Sequence, residues 1–323
     1  MRIAVLGAGA WGTALSVQAA RAGAEVTLWG RDAGRVAAMA AARENARHLP
    51  GVALPAGIAL TAEAAAALAG ADFVVLAVPA QHLRGVVASL ALPPALVAAK
   101  GVERTTLRLP LEVLAETHPG LPAAMLSGPN FAAEVAAGLP AAAVVASSDA
   151  ALREQVAAAL GTPGFRLYGS EDPVGVQVGG AAKNVIAIAA GAVIGAGLGE
   201  NARAALVTRG LAELARLVVA LGGKAETAAG LSGMGDLLLT ATGPSSRNTA
   251  LGLALGRGQS IDQALAGKVS VAEGVATAPA LVARATAAGV ELPICAAVAA
   301  LVAGELTVPA AMEQLLARPR RDE

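Results

Sequence analysis

The sequence predicts an α/β fold, with a doubly wound sheet over residues 1–172 and an all-helical domain over residues 173–323. Three observations carry this. Short, continuously apolar runs alternate with helical patterns through the first half, the pattern of strands buried on both faces of a parallel sheet. A glycine-rich turn follows the first of those runs. After Ser170-Glu-Asp-Pro173 no further β-branched run bounded by turns occurs, and long helical patterns take over.

The strands are expected at Arg2–Leu6, Glu25–Trp29, Asp72–Val78, Leu96–Ala99, Ala123–Leu126, Ala142–Ala146 and Phe165–Tyr168. Pro79 and Lys100-Gly101 halt the third and fourth. Helices are expected over Trp11–Ala22 and from Asp32 to about Arg47. The second half reads as helices at Val174 to about Leu198, Asn201–Leu221, Arg247–Arg257, Glu273–Ala288, Ala296–Ala303 and Pro309–Leu316. Connectors rich in Gly, Pro and Ser separate them, among them Gly230–Gly235 and Gly243-Pro-Ser-Ser.

Composition narrows the function. The chain is 55% hydrophobic and 15% charged, with a formal net charge of zero. A large core is available, and the electrostatic footprint of a general nucleic-acid binder is missing, so no nucleic-acid partner is expected. The single cysteine, Cys295, lies in an apolar context and reads as a buried small hydrophobe. With no disulfide framework and no signal-peptide pattern, a cytoplasmic location is expected. The stretch Val185–Leu198 is interrupted by glycines, shorter than the roughly 20 residues that span a bilayer, and flanked by Lys183, Glu200 and Arg203. It reads as a core helix, so no stable membrane insertion is expected. His48, His82 and His118 are dispersed without metal-ligand spacing, and no metal is expected.

Gly7-Ala-Gly9-Ala-Trp-Gly12 directly follows a strand and opens a helix, the context a Rossmann-type dinucleotide turn requires. Gly7 permits the tight turn, Gly9 lets backbone approach a pyrophosphate, and Gly12 allows helix to pack on strand. The alternative is a turn that serves packing alone. At the end of the second strand stands Trp29-Gly-Arg31-Asp32. Arg31 occupies the place where an acid would exclude NADP, and a guanidinium can hold a 2′-phosphate. Asp32 reads either as the cap of the next helix or as a ribose contact. NADPH use with tolerance of NADH is expected.

Further polar residues stand at strand ends, where ligands bind in open α/β sheets. Lys100 ends the fourth strand, and Ser127-Gly128-Pro-Asn130-Phe-Ala132 follows another. In the helical half Lys183 is the sole charge between Val174 and Leu198. It either snorkels or serves a polar cavity as an acid/base. Asp236 ends the glycine-rich loop. Ser246 reads as a helix cap, leaving Arg247 and Asn248 in the first helical turn. Free N–H groups, a guanidinium and an amide there make a phosphate site, whereas a plain capped helix would not explain a cation at that end. Val271-Ala-Glu273 starts another helix.

Gly7-Ala-Gly-Ala-Trp-Gly-Thr-Ala-Leu15, Ala98-Ala-Lys100-Gly, Leu126-Ser-Gly-Pro-Asn-Phe-Ala132, Ala182-Lys-Asn184, Leu231-Ser-Gly-Met-Gly-Asp236, Ser246-Arg-Asn248 and Val271-Ala-Glu-Gly274 occur in this order. Together they resemble the bacterial-type NAD(P)-dependent glycerol-3-phosphate dehydrogenases over nearly the whole chain. The resemblance implies reversible reduction of dihydroxyacetone phosphate to sn-glycerol 3-phosphate, feeding glycerophospholipid synthesis. It implies Lys183 as proton donor and acceptor. It places Lys100, Gly128, Asn130, Asp236, Ser246, Arg247 and Asn248 at the substrate, and Ala10, Trp11, Arg31, Lys100, Ala132, Arg247, Val271 and Glu273 at the cofactor. It also implies a homodimer. This sequence departs from the family at Ala10 and Asn130, where serine is common, and at Asp32, often a second basic residue. Two other readings stay open: a β-hydroxyacid or ketopantoate-type reductase, and a redox-sensing dinucleotide-binding module without turnover.

Overall fold

The structure is a computed structural model and describes residues 1–243, 246–266 and 272–319. It divides into two compact units. One comprises Met1–Lys100 with Arg108–Gln177, the other Gly101–Leu107 with the described residues from Val178 onward.

In the first unit β1 (Arg2–Leu6), α1 (Ala10–Arg21), β2 (Glu25–Trp29) and α2 (Ala33–Ala42) are followed by a small hairpin, β3 (Glu44–Asn45) and β4 (Leu49–Ala53). Next come β5 (Ile58–Thr61), α3 (Ala64–Leu68), β6 (Phe73–Leu76), α4 (Ala80–Val87), β7 (Ala95–Val97) and α5 (Pro110–Thr117). The series ends with β8 (Ala123–Ser127), α6 (Ala132–Ala137), β9 (Ala141–Ala146), α7 (Ala150–Leu160) and β10 (Phe165–Ser170). The main sheet has eight strands in the order β10-β9-β8-β7-β6-β1-β2-β5. The chain runs outward from β1 through β2 to β5, then crosses to the other side of β1 at β6. That reversal puts a topological switch point at the carboxyl ends of β1 and β6, where doubly wound sheets bind ligands. Ile3–Leu6 and Phe73–Leu76 are almost completely buried, as strands covered on both faces must be.

Three expectations need correction here. The sheet is not wholly parallel, because β9 pairs antiparallel with β8. The short loop carrying α6 returns the chain beside β8 in the reverse direction, without the long crossover a parallel neighbour needs. The second helix stops at Ala42 and does not reach Arg47. Arg43 turns left-handed at φ 50°, and the hairpin follows. Alanine-rich helix propensity lost to a tertiary contact, since the Asn45 amide donates to the Ala8 carbonyl at 3.0 Å and to Thr13 Oγ1 at 2.8 Å. Strand β5 was not anticipated. Its four residues, Ile-Ala-Leu-Thr, are too few for a distinct period.

The second unit holds most of α8 (Pro173–Gly195), then α9 (Gly199–Ala220), α10 (Ala225–Ala228), a π-helical turn (Leu231–Gly235), α11 (Asp236–Thr242) and α12 (Arg247–Gly256). It continues with α13 (Ile261–Leu265), α14 (Glu273–Ala287), α15 (Pro293–Val302) and α16 (Val308–Leu316). The stretch 231–235, expected as a loop, is the π turn that leads straight into α11. By length and composition α8 could cross a membrane, but 89% of its most apolar window is buried, so it is apolar all round because protein surrounds it. Asp172 starts it, its carboxylate accepting from the Gly175 amide at 2.8 Å.

Two glycine pairs let α8 and α12 lie backbone against backbone. A Cβ on Gly191 would stand 2.2 Å from the Thr249 carbonyl oxygen, and one on Gly195 2.3 Å from that of Leu253. Reciprocally, a Cβ on Gly252 would stand 2.0 Å from the Ile188 oxygen and one on Gly256 2.3 Å from the Ala192 oxygen. The four-residue spacing on each helix keeps the small positions on one stripe. Elsewhere in this unit Glu213 of α9 accepts from the Ile294 amide at 2.7 Å and the Cys295 amide at 3.2 Å, capping α15 from outside. Burial pushes its carboxyl above the usual range.

Gly252→Ala should destabilise the protein by about 3 kcal/mol in urea unfolding, the upper range for overpacking, because backbone is met and not a yielding side chain. Gly85→Ala is the control. That glycine is helical and exposed, nothing lies within 4 Å of the added Cβ, and helix propensity should stabilise by about 0.5–1 kcal/mol.

Candidate active site

The glycine turn sits at the switch point. Gly7 adopts φ +123°, and a Cβ there would lie 2.7 Å from the Ala77 carbonyl oxygen just beyond β6. Only glycine fits both the angle and the approach. A Cβ on Gly12 would stand 1.9 Å from the Gly7 oxygen, so α1 closes directly onto the turn. Gly9 differs: among the described residues nothing lies within 4 Å of the Cβ it lacks, and as N-cap of α1 it leaves the helix start without a side-chain cap. Ala10 and Trp11 are the first residues of that helix. Uncapped N–H groups at the positive end of a helix dipole suit a pyrophosphate, and the open flank of Gly9 suits its approach. The Trp11 indole N–H is also buried without an acceptor among the described residues. These residues fit a dinucleotide.

Lys100 follows β7, and its ammonium donates to the Gly128 carbonyl at 3.2 Å. Gly128 itself adopts φ +147°, with a Cβ position 2.9 Å from the Ala143 Cα. Asn130 donates from Nδ2 to the Ala142 carbonyl at 3.2 Å, while its Oδ1 and the Ser127 hydroxyl are buried without partners among the described residues. Ala132 opens α6. Lys100, Gly128 and Asn130 are thus gathered at the carboxyl end of β7 and β8 in the first unit.

The second unit gathers another set. Lys183, 12% exposed, places Nζ 2.5 Å from Oδ1 of Asp236, which is fully buried. Nζ also reaches Thr240 Oγ1 at 3.1 Å. Asp236 stands on the first residue of α11, where the helix dipole favours a carboxylate. Thr249 Oγ1 donates to the Thr240 carbonyl at 2.5 Å. Beside Lys183, Asn184 accepts from Asn248 Nδ2 at 2.8 Å, and Asn248 Oδ1 accepts from the Gly274 amide at 3.0 Å. Asn184 Nδ2 is buried without a partner among the described residues. Ser246 caps α12, its hydroxyl accepting from the Thr249 amide at 3.2 Å. Arg247 is exposed on the first residue of α12, and Glu273 is the first residue of α14. Val271 lies outside the described residues.

Asn184 and Thr240 belong to this arrangement although the sequence reading did not select them. Asn184 stands next to Lys183 in a motif already quoted. Thr240 carries no signal of its own, since it joins Lys183 only once α11 is known to be a helix.

A doubly wound sheet with an open, uncapped helix start at its switch point, joined to a helical unit holding a lysine paired with a buried carboxylate, defines a dinucleotide-dependent oxidoreductase. Models of the NAD-dependent glycerol-3-phosphate dehydrogenase N-terminus and C-terminus match residues 2–153 and 172–313. A glycerol-3-phosphate dehydrogenase [NAD(P)+] of Caulobacter vibrioides is 53% identical over 100% of this chain and 98% of its own. That of Azorhizobium caulinodans is 54% identical over the same shares, 100% and 98%. The crystal structure of glycerol-3-phosphate dehydrogenase from Coxiella burnetii superposes with a TM-score of 0.94 at 38% identity, covering 98% of this chain and 99% of that one. A ketopantoate reductase from Ralstonia eutropha, at 20% identity and a TM-score of 0.57, shares the fold alone. The chain belongs to the NAD-dependent glycerol-3-phosphate dehydrogenase family.

The Asn184–Asn248 amide pair is buried, so its members should act as one unit. In a double-mutant cycle, the stability losses of Asn184→Ala and Asn248→Ala should fail to add by about 1 kcal/mol or more in urea unfolding. Additive losses would show two independent side chains.

Proposed function

We propose that this chain catalyses the reversible NAD(P)H-dependent reduction of dihydroxyacetone phosphate to sn-glycerol 3-phosphate, supplying glycerophospholipid synthesis. One observation carries the reading. The lysine suited to proton transfer and the helix start suited to a phosphate share a single hydrogen-bonded frame, through Asn184 to Asn248 and through Thr240 to Thr249. An acid and an anion site held in fixed register are what a phosphorylated ketone requires, because binding energy at the phosphate then positions the carbonyl.

Each residue has a role on this reading. Arg247, Asn248 and the Ser246-capped start of α12 hold the substrate phosphate. Lys183 donates a proton to the C2 oxygen during reduction and takes it back in the reverse direction. Asp236 and Thr240 hold its Nζ in place, and the buried carboxylate supplies the counter-charge. Lys100, Gly128 and Asn130 line the substrate as well, and the Lys100 ammonium stabilises negative charge developing on the oxygen. Gly7, Gly9, Ala10, Trp11 and Gly12 bind the dinucleotide pyrophosphate at the head of α1. Arg31, Ala132, Val271 and Glu273 complete the cofactor contacts, with Lys100 and Arg247 shared. When bound, the nicotinamide supplies the hydride. The reading includes a cytoplasmic location, supported by a single cysteine that is buried, and, as the sequence resemblance implies, a homodimer.

Lys183→Met keeps the stem and removes the ammonium. It should leave the protein folded and NADPH binding within a few-fold, while turnover falls by about two to four orders of magnitude. Near-parent turnover with binding intact would refute Lys183 as the proton donor, and only absence of turnover in the parent protein would favour a binding module.

Substrate choice tests the α12 site. Dihydroxyacetone phosphate should be reduced with far higher kcat/KM than dihydroxyacetone, and Arg247→Ala should narrow that gap. Equal efficiency on both ketones, or faster turnover of ketopantoate, would refute the phosphate assignment.

A further inference from the structure

The glycine turn is held from outside by a residue that follows α2. Asn45, in β3, is buried, and its amide nitrogen donates twice, to the Ala8 carbonyl at 3.0 Å and to Thr13 Oγ1 at 2.8 Å. A carbonyl oxygen only accepts, so the nitrogen of the amide must be the atom that faces Ala8. Ala8 precedes the uncapped start of α1. Thr13 closes its first turn, with its own amide donating to the Gly9 carbonyl at 3.0 Å. The two Asn45 bonds therefore bracket Gly9, Ala10, Trp11 and Gly12. In a planar trans peptide the C=O and the following N–H point in opposite directions. Fixing the Ala8 carbonyl on Asn45 thus aims the Gly9 N–H away from the hairpin.

Several contacts seat Asn45 at this place. Asp32 caps α2, its Oδ1 accepting from the Arg35 amide at 3.0 Å, and the helix stops at Ala42. Arg43 then takes φ 50°, a left-handed angle uncommon for a residue with a side chain. Its guanidinium is anchored on two carbonyls, those of Pro55 and, at 3.1 Å, Ile58. The Glu44 carboxylate closes the hairpin by accepting from the Gly51 amide at 2.8 Å. Leu49 and Val52 of the same hairpin pack in one apolar cluster with Ala14, Trp11 and Ala132, the last two of them proposed cofactor contacts.

We propose that Asn45 is a positioning residue of the dinucleotide site. It holds the glycine turn in its ligand-ready form, so that the N–H groups of Gly9, Ala10 and Trp11 are aimed before a pyrophosphate arrives. Donors fixed in advance need no ordering when the ligand binds. Without the amide, the Ala8 carbonyl loses this partner, and the Ala8–Gly9 peptide is free to rotate and turn its N–H aside. The effect falls on the pyrophosphate, which NADPH, NADH and ADP share. The inference rests on the dinucleotide reading of the first unit and not on the substrate.

Calorimetric titration of the full chain with NADPH, NADH and ADP tests it, beside thermal unfolding without ligand. Asn45→Asp keeps the shape and sets an acceptor against the Ala8 carbonyl. At pH 7 it should weaken all three ligands by about tenfold or more, to similar extents. Burial among acceptors raises the pKa of the introduced carboxyl. As the pH falls from about 8 to 5 it takes up a proton and becomes a donor, and the loss relative to the parent should shrink. The charged and titratable groups on the elements around it are Arg35 of α2, Arg43, Glu44, Arg47 and His48 of the hairpin, and Glu134 of α6. All are common to both proteins, so the comparison removes them. Thr13→Val deletes one arm of the clamp and should weaken all three ligands by about threefold. Unchanged affinity in either variant, a loss confined to NADPH, or a loss in Asn45→Asp that stays constant across that pH range would overturn the proposal. If Asn45→Asp does not fold, the affinities of Thr13→Val decide. Failure of the parent protein to bind any of the three ligands would overturn the dinucleotide reading itself, a result distinct from these.

Discussion

The second unit depends on the contact between α8 and α12. Four glycines on two stripes let the helices meet at backbone distance, since a Cβ at Gly191, Gly195, Gly252 or Gly256 would lie 2.0–2.3 Å from a carbonyl oxygen of the other helix and force it to shift. That approach sets how far Lys183-Asn184 on one helix lies from Ser246-Arg247-Asn248 on the other. The Asn184–Asn248 bond and the Thr249–Thr240 bond then fix the register. A methyl group inserted into the stripe would part the helices and so move the proposed acid relative to the proposed phosphate site. Close packing without side chains thus fixes the geometry on which the proposed mechanism rests.

The first unit is governed by a similar constraint at smaller scale. Gly7, against the Ala77 carbonyl, and Gly12, against the Gly7 carbonyl, bring α1 down onto the carboxyl ends of β1 and β6. Gly9 does the opposite and keeps its flank open. Three glycines in one turn therefore do different work: two remove bulk so that backbone can approach backbone, and one keeps the flank of the helix start open. The β3–β4 hairpin is anchored to this turn by Asn45, which holds the residues beyond α2 beside the glycine turn.

Much of this was legible in the sequence because its signals are local. The glycine turn between strand and helix, the apolar strands and the Ser246 cap depend on residues a few positions apart. Lys183 stood out because a lone charge in a long apolar helix needs a partner. The partner itself is less legible, because Asp236 reads in the sequence as the end of a loop. Its position at the head of α11, behind a π turn, arises from packing that no period in Leu231–Gly235 announces. Thr240 was invisible for the same reason.

The sequence by itself determined the alternation of apolar strands with helices in the first half, the change to helices after Pro173, the place of the glycine-rich turn and the residue types that the proposed chemistry would use. These follow from propensity, periodicity and chemical identity, which are properties of neighbouring residues. Only the tertiary structure decided the antiparallel pairing of β9 with β8, the early end of α2 and the use made of Asp32. Each of these is a choice between locally acceptable alternatives. Each is settled by a contact with a residue distant in sequence or by competition for one carboxylate, and such contacts exist only once the chain has folded.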